Sequence, residues 1–330
     1  MRFERALSRP TARWRSPFAR WAWALWGPLA TLGLGFSPGA SEAAALRYCD
    51  APPTLNAQQH DHLLRWAALI KTTLASSGER VALMARSGLD LSRFGQRYSH
   101  AGVGLAGDAD ASWSVRQLYF SCDERLPRLY DQGIPGFVLG TDNPALGYVS
   151  VLLLPAAEAA ALAQAATDKA RSLKLLASTY SANAHAYSTR YQNCNQWLAE
   201  LLASAWGGLG ESEQPRAQSQ AWLKDHGYRP SIFDVSSGVG GGQWLGRLWI
   251  TLGALVPWLH NDDHPEEDLA LAIYRVSMPA SIEAFVRDHV PGAQRIEFCH
   301  NEQQFVIRRG WLPIADGCVA SADDTVVALH

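Results

Sequence analysis

Two residues of this chain are suited to covalent chemistry, Cys194 and His100. Cys194 stands in Tyr191-Gln192-Asn193-Cys194-Asn195-Gln196-Trp197, where an apolar helical pattern begins. A helix N-terminus presents free N–H groups and a partial positive charge. Both favour thiolate over thiol, so a lowered thiol pKa is expected. The amides of Cys194 and Asn195 could hold an oxyanion, with Asn193 and Asn195 as flanking support. A nucleophilic cysteine needs a base, and His100 opens an apolar strand in Tyr98-Ser99-His100-Ala101-Gly102-Val103. A third polar group should orient the imidazole. Gln117 stands on the next strand, on one side with Val115 and Tyr119. The chemistry would be attack of sulfur on a carbonyl, with no cofactor and no metal. Each piece taken alone is more often structural; a cysteine at a helix start is usually a small core residue.

Other clusters are weaker. His260-Asn261-Asp262-Asp263-His264, followed by Glu266, Glu267 and Asp268, holds ligand types for a metal. It reads more simply as a solvated acidic loop ahead of a helix. His60 and His62 lie two apart on a helix and point to different sides. His185 is a reserve base in a polar loop.

The elements that must position these groups follow from periodicity. Thr54 to Ser77 reads as an amphipathic helix stopped by Gly78. Val81–Ala85 is a short apolar segment ended by Ser87-Gly88, and strands are expected at Tyr98–Leu105, Trp113–Cys122, Phe137–Leu139 and Tyr148–Leu154, with a turn over Thr141–Pro144. Pro155 opens an alanine-rich helix that reaches about Ala177 and breaks near Thr167. Cys194–Trp206 is a strong helix closed by Gly207-Gly208, and another spans Arg216–His226. Ser231–Val235 and Tyr274–Met278 suggest strands, and Ile282–His289 a helix. Arg295–His300 and Gln304–Arg308 form a hairpin across Asn301-Glu302. The glycine-rich joint Gly238–Gly242 leads into Trp244–Leu259, which is too short to span a membrane. Two readings of that segment stay open. One is a buried or half-buried helix; the other is an interfacial helix in peripheral contact with a membrane, against which its lack of lysines argues.

The N-terminus points to export. Six arginines lie within the first twenty residues, an apolar run spans Trp21–Phe36, and a small weakly polar stretch covers Ser37–Ala45. That order is the plan of a secretory signal. Cleavage near Ala43–Ala45 would leave 23 basic and 29 acidic residues. No basic tract survives, so nucleic acid is an unsuitable partner.

The pair Ser99-His100-Ala101-Gly102-Val103 and Asn193-Cys194-Asn195-Gln196-Trp197 resembles the circularly permuted branch of the NlpC-type, papain-like superfamily. In that branch the His strand precedes the Cys helix. More narrowly, the chain from Arg47 to Val319 resembles an exported bacterial family, domain-of-unknown-function family 2145. Arg86-Ser87-Gly88-Leu89-Asp90-Leu91 and Arg275-Val276-Ser277-Met278-Pro279-Ala280-Ser281 carry that resemblance. The superfamily resemblance implies Cys194 as nucleophile, His100 as base and Gln117 as third member. Many members of the branch place a carboxylate or histidine third, and Gln117 departs from that pattern.

Setting Cys194 aside leaves Cys49, Cys122, Cys299 and Cys318, which allow three pairings. Cys299–Cys318 would staple the hairpin region, and Cys49–Cys122 would then tie the new N-terminus to a strand. The expected fold is α+β, an antiparallel sheet packed on helices. Its divisions are a signal at 1–44, a permuted papain-like core at 45–237, and a Gly-jointed, disulfide-stapled lobe at 238–330. The expected function is an exported, periplasmic or secreted, thiol hydrolase or acyltransferase. It would act on an envelope amide or ester such as a peptidoglycan peptide, a lipoprotein or a lipid. The competing expectation is a non-catalytic binding protein on a degenerate papain-like scaffold. The oligomeric state is not legible.

Overall fold

Asn56 opens the first helix with a reciprocal cap. Its side chain accepts from the Gln59 amide at 2.9 Å while the Gln59 side chain accepts from the Asn56 amide at 3.0 Å. Helix α1 (Ala57–Ser77) then runs to Gly78, whose φ of 77° closes it in the left-handed conformation. The structure, a computed structural model, describes residues 54–329 apart from 108–111, 122, 240–241 and 254. The expected signal segment and the pair Cys49–Cys122 lie outside the described residues.

Strand β1 (Val81–Arg86) is buried along its whole length because helices cover both faces of its sheet. The sheet has eight strands in the order β10-β9-β8-β5-β1-β2-β3-β4, and every neighbouring pair is antiparallel. These strands are β2 (His100–Ala106), β3 (Trp113–Ser121), β4 (Leu126–Gly133), β5 (Gly147–Leu153), β8 (Gln294–His300), β9 (Gln304–Arg309) and β10 (Thr325–Ala328). A separate ribbon pairs β6 (Ser231–Asp234) with β7 (Ile273–Val276). The fold is therefore α+β, a large antiparallel sheet packed against helices. Residues 294–328, expected within a C-terminal lobe, supply β8, β9 and β10 to the main sheet.

Strand alternation sorts the sheet's side chains into two cores. Val81, Leu83, Ala101, Val103 and Leu118 join one core, with α3 (Ala156–Thr167), α5 (Cys194–Trp206) and α10 (Pro279–His289). Ala82, Met84, Val115 and Val149 join the other, with α1 and α2 (Ile134–Leu139). Helix α5 is buried on all sides from Cys194 to Ala205. Its one carboxylate, Glu200, accepts from Arg216 Nε at 2.8 Å, Gln192 Nε2 at 2.7 Å and Gln220 Nε2 at 2.7 Å. Arg216 and Gln220 come from α6 (Pro215–Asp225). Arg216 also donates to the carbonyls of Thr189 and Tyr191 at 2.6 and 2.8 Å, fixing the loop that delivers Cys194.

Several expectations are corrected. Phe137–Leu139 is helical, because Pro135 begins a helix at Ile134 and Gly140 ends it. The edge strand β4 went unread, since Pro127 and the charged Arg128 and Asp131 weaken its pattern. The alanine-rich helix does break beside Thr167 as expected, at Asp168, whose side chain caps α4 (Lys169–Lys174). The acidic loop is solvated only in part: Asp262, Glu266 and Glu267 are exposed, whereas Asp263, His264 and Asp268 are not. His264 is buried and its Nε2 donates to the Asn183 carbonyl at 2.8 Å, while Asp263 accepts from the His185 amide at 3.0 Å. Among the described residues no group of three or more His, Cys, Asp or Glu is placed to hold a metal ion. Helix α8 (Gly242–Gly253) buries only Gly246 and Ile250, leaving Trp244 73% and Trp249 54% exposed. No described helix is long and apolar enough to cross a membrane.

Candidate functional site: a thiol–imidazole cleft

Helix α5 starts at Cys194 because Asn193 caps it, accepting from the Gln196 amide at 2.7 Å. Asn193 is itself held, donating to the Ser277 carbonyl at 3.3 Å. The amides of Cys194 and Asn195 and the Tyr180 side chain all favour the thiolate of Cys194. Asn195 donates to the carbonyl of Ser99 at 3.1 Å, so the head of α5 is tied to the start of β2.

His100 is the first residue of β2 and lies opposite Arg86 of β1. Its Nε2 meets Gln117 Oε1 at 2.8 Å. Gln117 Nε2 donates to Gln132 Oε1 on β4 at 2.7 Å. That second bond turns the amide so that its oxygen faces the ring. An amide oxygen only accepts, so Nε2 of His100 carries the proton and Nδ1 is left as the basic nitrogen. The ring stacks on Tyr119, centroids 4.7 Å apart.

The sulfur and the imidazole belong to different sides of the sheet. Cys194 packs in the α5 core beside Leu118, whereas the ring of His100 lies 6.4 Å from that of Phe137 in the α2 core. Both nevertheless line one cleft, beyond the point where the β2–β3 ladder stops at the pair Val103–Arg116. At Gly102 the strands still lie close, since a Cβ there would lie 2.6 Å from the Arg116 carbonyl oxygen and 3.0 Å from Gln117 Cβ. Where the ladder ends, a cleft of about 80 Å³ opens, lined by His100, Cys194, Arg86, Tyr119 and Tyr180. Leu89 and Asp142 line both this cleft and a groove of about 890 Å³ beside it.

Burial governs the resting protonation. Desolvation pushes the Cys194 thiol up to about 11, against the smaller opposing pull of the Asn195 amide and the Arg86 charge. This corrects the expected lowering: the helix start acts in the expected direction, and desolvation outweighs it. Burial, with Arg86 second, holds the His100 pKa down to about 3. The resting site is a neutral thiol and a neutral imidazole.

Cys194 and His100 thus line one cleft; Gln117, Asn193 and Asn195 stand behind it, Gln117 bonded to the His100 ring, Asn193 capping α5 and Asn195 tied to Ser99. His185 does not line it, and contacts His264 instead, with ring centroids 5.5 Å apart. His62 meets His300 of β8 at 3.0 Å, between α1 and the sheet. Cys299 and Cys318 form a disulfide, and Cys194 is a free, buried cysteine. Sequence reasoning missed Arg86 and Gln132. The signal for Arg86 was a lone charge closing the apolar run Val81–Ala85.

The fold and this cleft define an α+β protein with a buried thiol and imidazole at the open end of a strand ladder. The chain belongs to the family described as an uncharacterised protein conserved in bacteria (DUF2145), whose model matches residues 73–286. Neither a curated protein nor a solved structure matches the chain.

Proposed function

We propose that this chain is an exported cysteine-dependent hydrolase or acyltransferase with a permuted papain-like core, acting on an amide or ester of the cell envelope. The observation that carries the reading is the shared cleft of Cys194 and His100, with the imidazole tautomer set by Gln117. Cys194 Sγ attacks the carbonyl carbon as its proton passes to His100 Nδ1. The Cys194 and Asn195 amides steady the oxyanion. The proton returns to the departing amine or alcohol, leaving a thioester on Cys194. Water, or a second acceptor in the transferase case, then releases the acyl group. Export is supported by the basic-apolar-small N-terminus and by the Cys299–Cys318 bridge, which suits an oxidising compartment.

The test is a p-nitrophenyl ester followed by stopped flow. The expected result is a burst of p-nitrophenol, an acyl adduct on the peptide containing Cys194, and loss of both in Cys194→Ala. Turnover unchanged by Cys194→Ala sinks the reading. The elevated thiol pKa favours the other reading, a non-catalytic scaffold in which Cys194 is a core residue. A thiol that iodoacetamide reaches only after denaturation decides for it.

The exposed face of α8 supports peripheral membrane contact. Trp244, Leu248, Trp249 and Leu252 are all exposed, and indoles suit the water–lipid boundary. Arg247 Nε is engaged by the Ala270 carbonyl at 2.7 Å, so binding to neutral phosphatidylcholine vesicles is expected without an anionic lipid. Failure of the protein to co-sediment with such vesicles removes this contact.

A further inference from the structure

We infer that Arg86 forms an anion-anchoring subsite in the Cys194 cleft, so that the acyl substrate carries a carboxylate or similar anion close to the carbonyl under attack. The inference rests on the cysteine-dependent reading above and adds the substrate's charge to it.

Arg86 closes β1, is 6% exposed, and lines the cleft with Cys194 and His100. Its guanidinium is held by neutral acceptors: the carbonyls of Ser87, at 3.3 Å, and Gly140, and the Tyr119 hydroxyl, at 3.1 Å. Such acceptors fix the planar fork without neutralising it. The surrounding backbone is shaped to it. A Cβ at Gly88 would lie 2.6 Å from Nη1, and one at Gly140 would lie 2.5 Å from Nη2 and 2.7 Å from Cζ. Two glycines therefore make room for this group. Its Nε is buried and has no hydrogen-bond partner. A buried, unmatched N–H on a cation is costly and leaves the guanidinium short of acceptors.

The position limits the ligand. Arg86, Cys194 and His100 line the same cleft of about 80 Å³, so an anion on the guanidinium sits beside the reacting sulfur. Asp142 is the one carboxylate among the described residues lining the cleft, and it also borders the larger groove. Asp90, Asp316 and Arg97 line that groove as well, with Arg97 paired to Asp316 at 2.5 Å, so its balance is acidic and it makes a poor channel for a second anion. The substrate is thus anionic at its reacting end and neutral or cationic along the groove.

Iodoacetate and iodoacetamide test this, because they are nearly equal in size and differ in charge. Rates are read by mass spectrometry on the peptide containing Cys194 and referenced to glutathione. The expected iodoacetate-to-iodoacetamide rate ratio exceeds the glutathione ratio by about tenfold, the scale of one charged hydrogen bond. It should fall to the glutathione value in Arg86→Gln, persist in part in Arg86→Lys, and rise in Asp142→Asn. Should Arg86→Gln fail to fold, the unaltered protein still decides. Sodium acetate should protect Cys194 from iodoacetamide saturably, and sodium chloride at equal ionic strength should not. A ratio equal to that of glutathione, with no protection by acetate, overturns the subsite while leaving the thiol reading intact. So does an Arg86→Gln variant that slows both reagents equally, since the charge then serves only the thiolate. Failure of both reagents to modify the native protein ends both proposals.

Discussion

The side-chain nitrogen of Asn195 donates to the carbonyl oxygen of Ser99 at 3.1 Å, linking the residue after the sulfur to the residue before the imidazole. The same nitrogen lies 3.7 Å from Met278 Sδ, and its partner atom Oδ1 is buried without a hydrogen bond. Asn195→Ala removes a good bond and an unsatisfied oxygen together. Its cost in urea unfolding is therefore expected near the low end for a buried hydrogen bond, about 1 kcal/mol. The ester burst should fall at least about tenfold, one tenfold step being about 1.4 kcal/mol of misplacement. A burst left intact would show that this tie does not align the cleft.

Gln117 holds His100 as a neutral acceptor. Gln117→Glu puts a carboxylate on the protonated ring nitrogen and favours the imidazolium. The His100 pKa, held at about 3 by burial first, should move up toward the ordinary range. Histidine NMR titration reads this directly, and an unmoved resonance between pH 4 and 7 contradicts the contact. Gln132→Leu should act differently, leaving the Gln117 amide nitrogen without its 2.7 Å acceptor and free to turn.

These parts were unequally legible in the sequence. The start of α5 at Cys194 was readable because a capping asparagine precedes an unbroken apolar helix. The side of β3 that carries Gln117 followed from strict alternation with Val115 and Tyr119. The depth of burial was not readable, because it depends on which helices cover each face of the sheet. Hence the thiol was expected to be acidic and is the reverse. The end of the β2–β3 ladder was equally hidden, since a ladder is a relation between two segments. His264 looked solvated because its neighbours are charged, and only its Asn183 partner shows why it is buried.

Stability should fall in mild acid. Burial holds His100 and His300 down to about 3, from an ordinary 6.5. Between those values the unfolded chain binds protons that the folded chain does not. The stabilisation is complete above pH 6.5 and is lost as pH falls toward 3. Each histidine adds a slope approaching about 1.4 kcal/mol per pH unit within that window. Buried Glu200 and Glu283, whose pKa values are raised, oppose this in part. Thermal melts from pH 7 to 4 should show a declining Tm, and His300→Phe should flatten the decline. A level Tm across that range contradicts both burials.

The Glu200–Arg216 pair sits wholly inside the protein, and removing one partner strands the other. Arg216→Met should cost about 3–5 kcal/mol in urea unfolding. Glu200→Gln should cost less, because three neighbouring donors keep an acceptor. Equal costs for the two would show that the charge itself contributes little. In Arg216→Met the loop from Ser188 to Tyr191 loses hydrogen bonds, so faster amide exchange is expected there first.

The Cys299–Cys318 bridge closes a 19-residue span, worth about 3 kcal/mol on chain-entropy grounds. The span includes Asp316 and Gly317, which form part of the large groove, and the Cys318 amide donates to the Tyr148 hydroxyl at 3.1 Å. Reduction should therefore lower Tm and loosen one bank of the groove while the strands stay paired. Dithiothreitol should depress ester turnover more than it depresses far-ultraviolet circular dichroism. A chain still in the reducing cytosol would then be folded yet quiet, and passage into an oxidising space would serve as its switch.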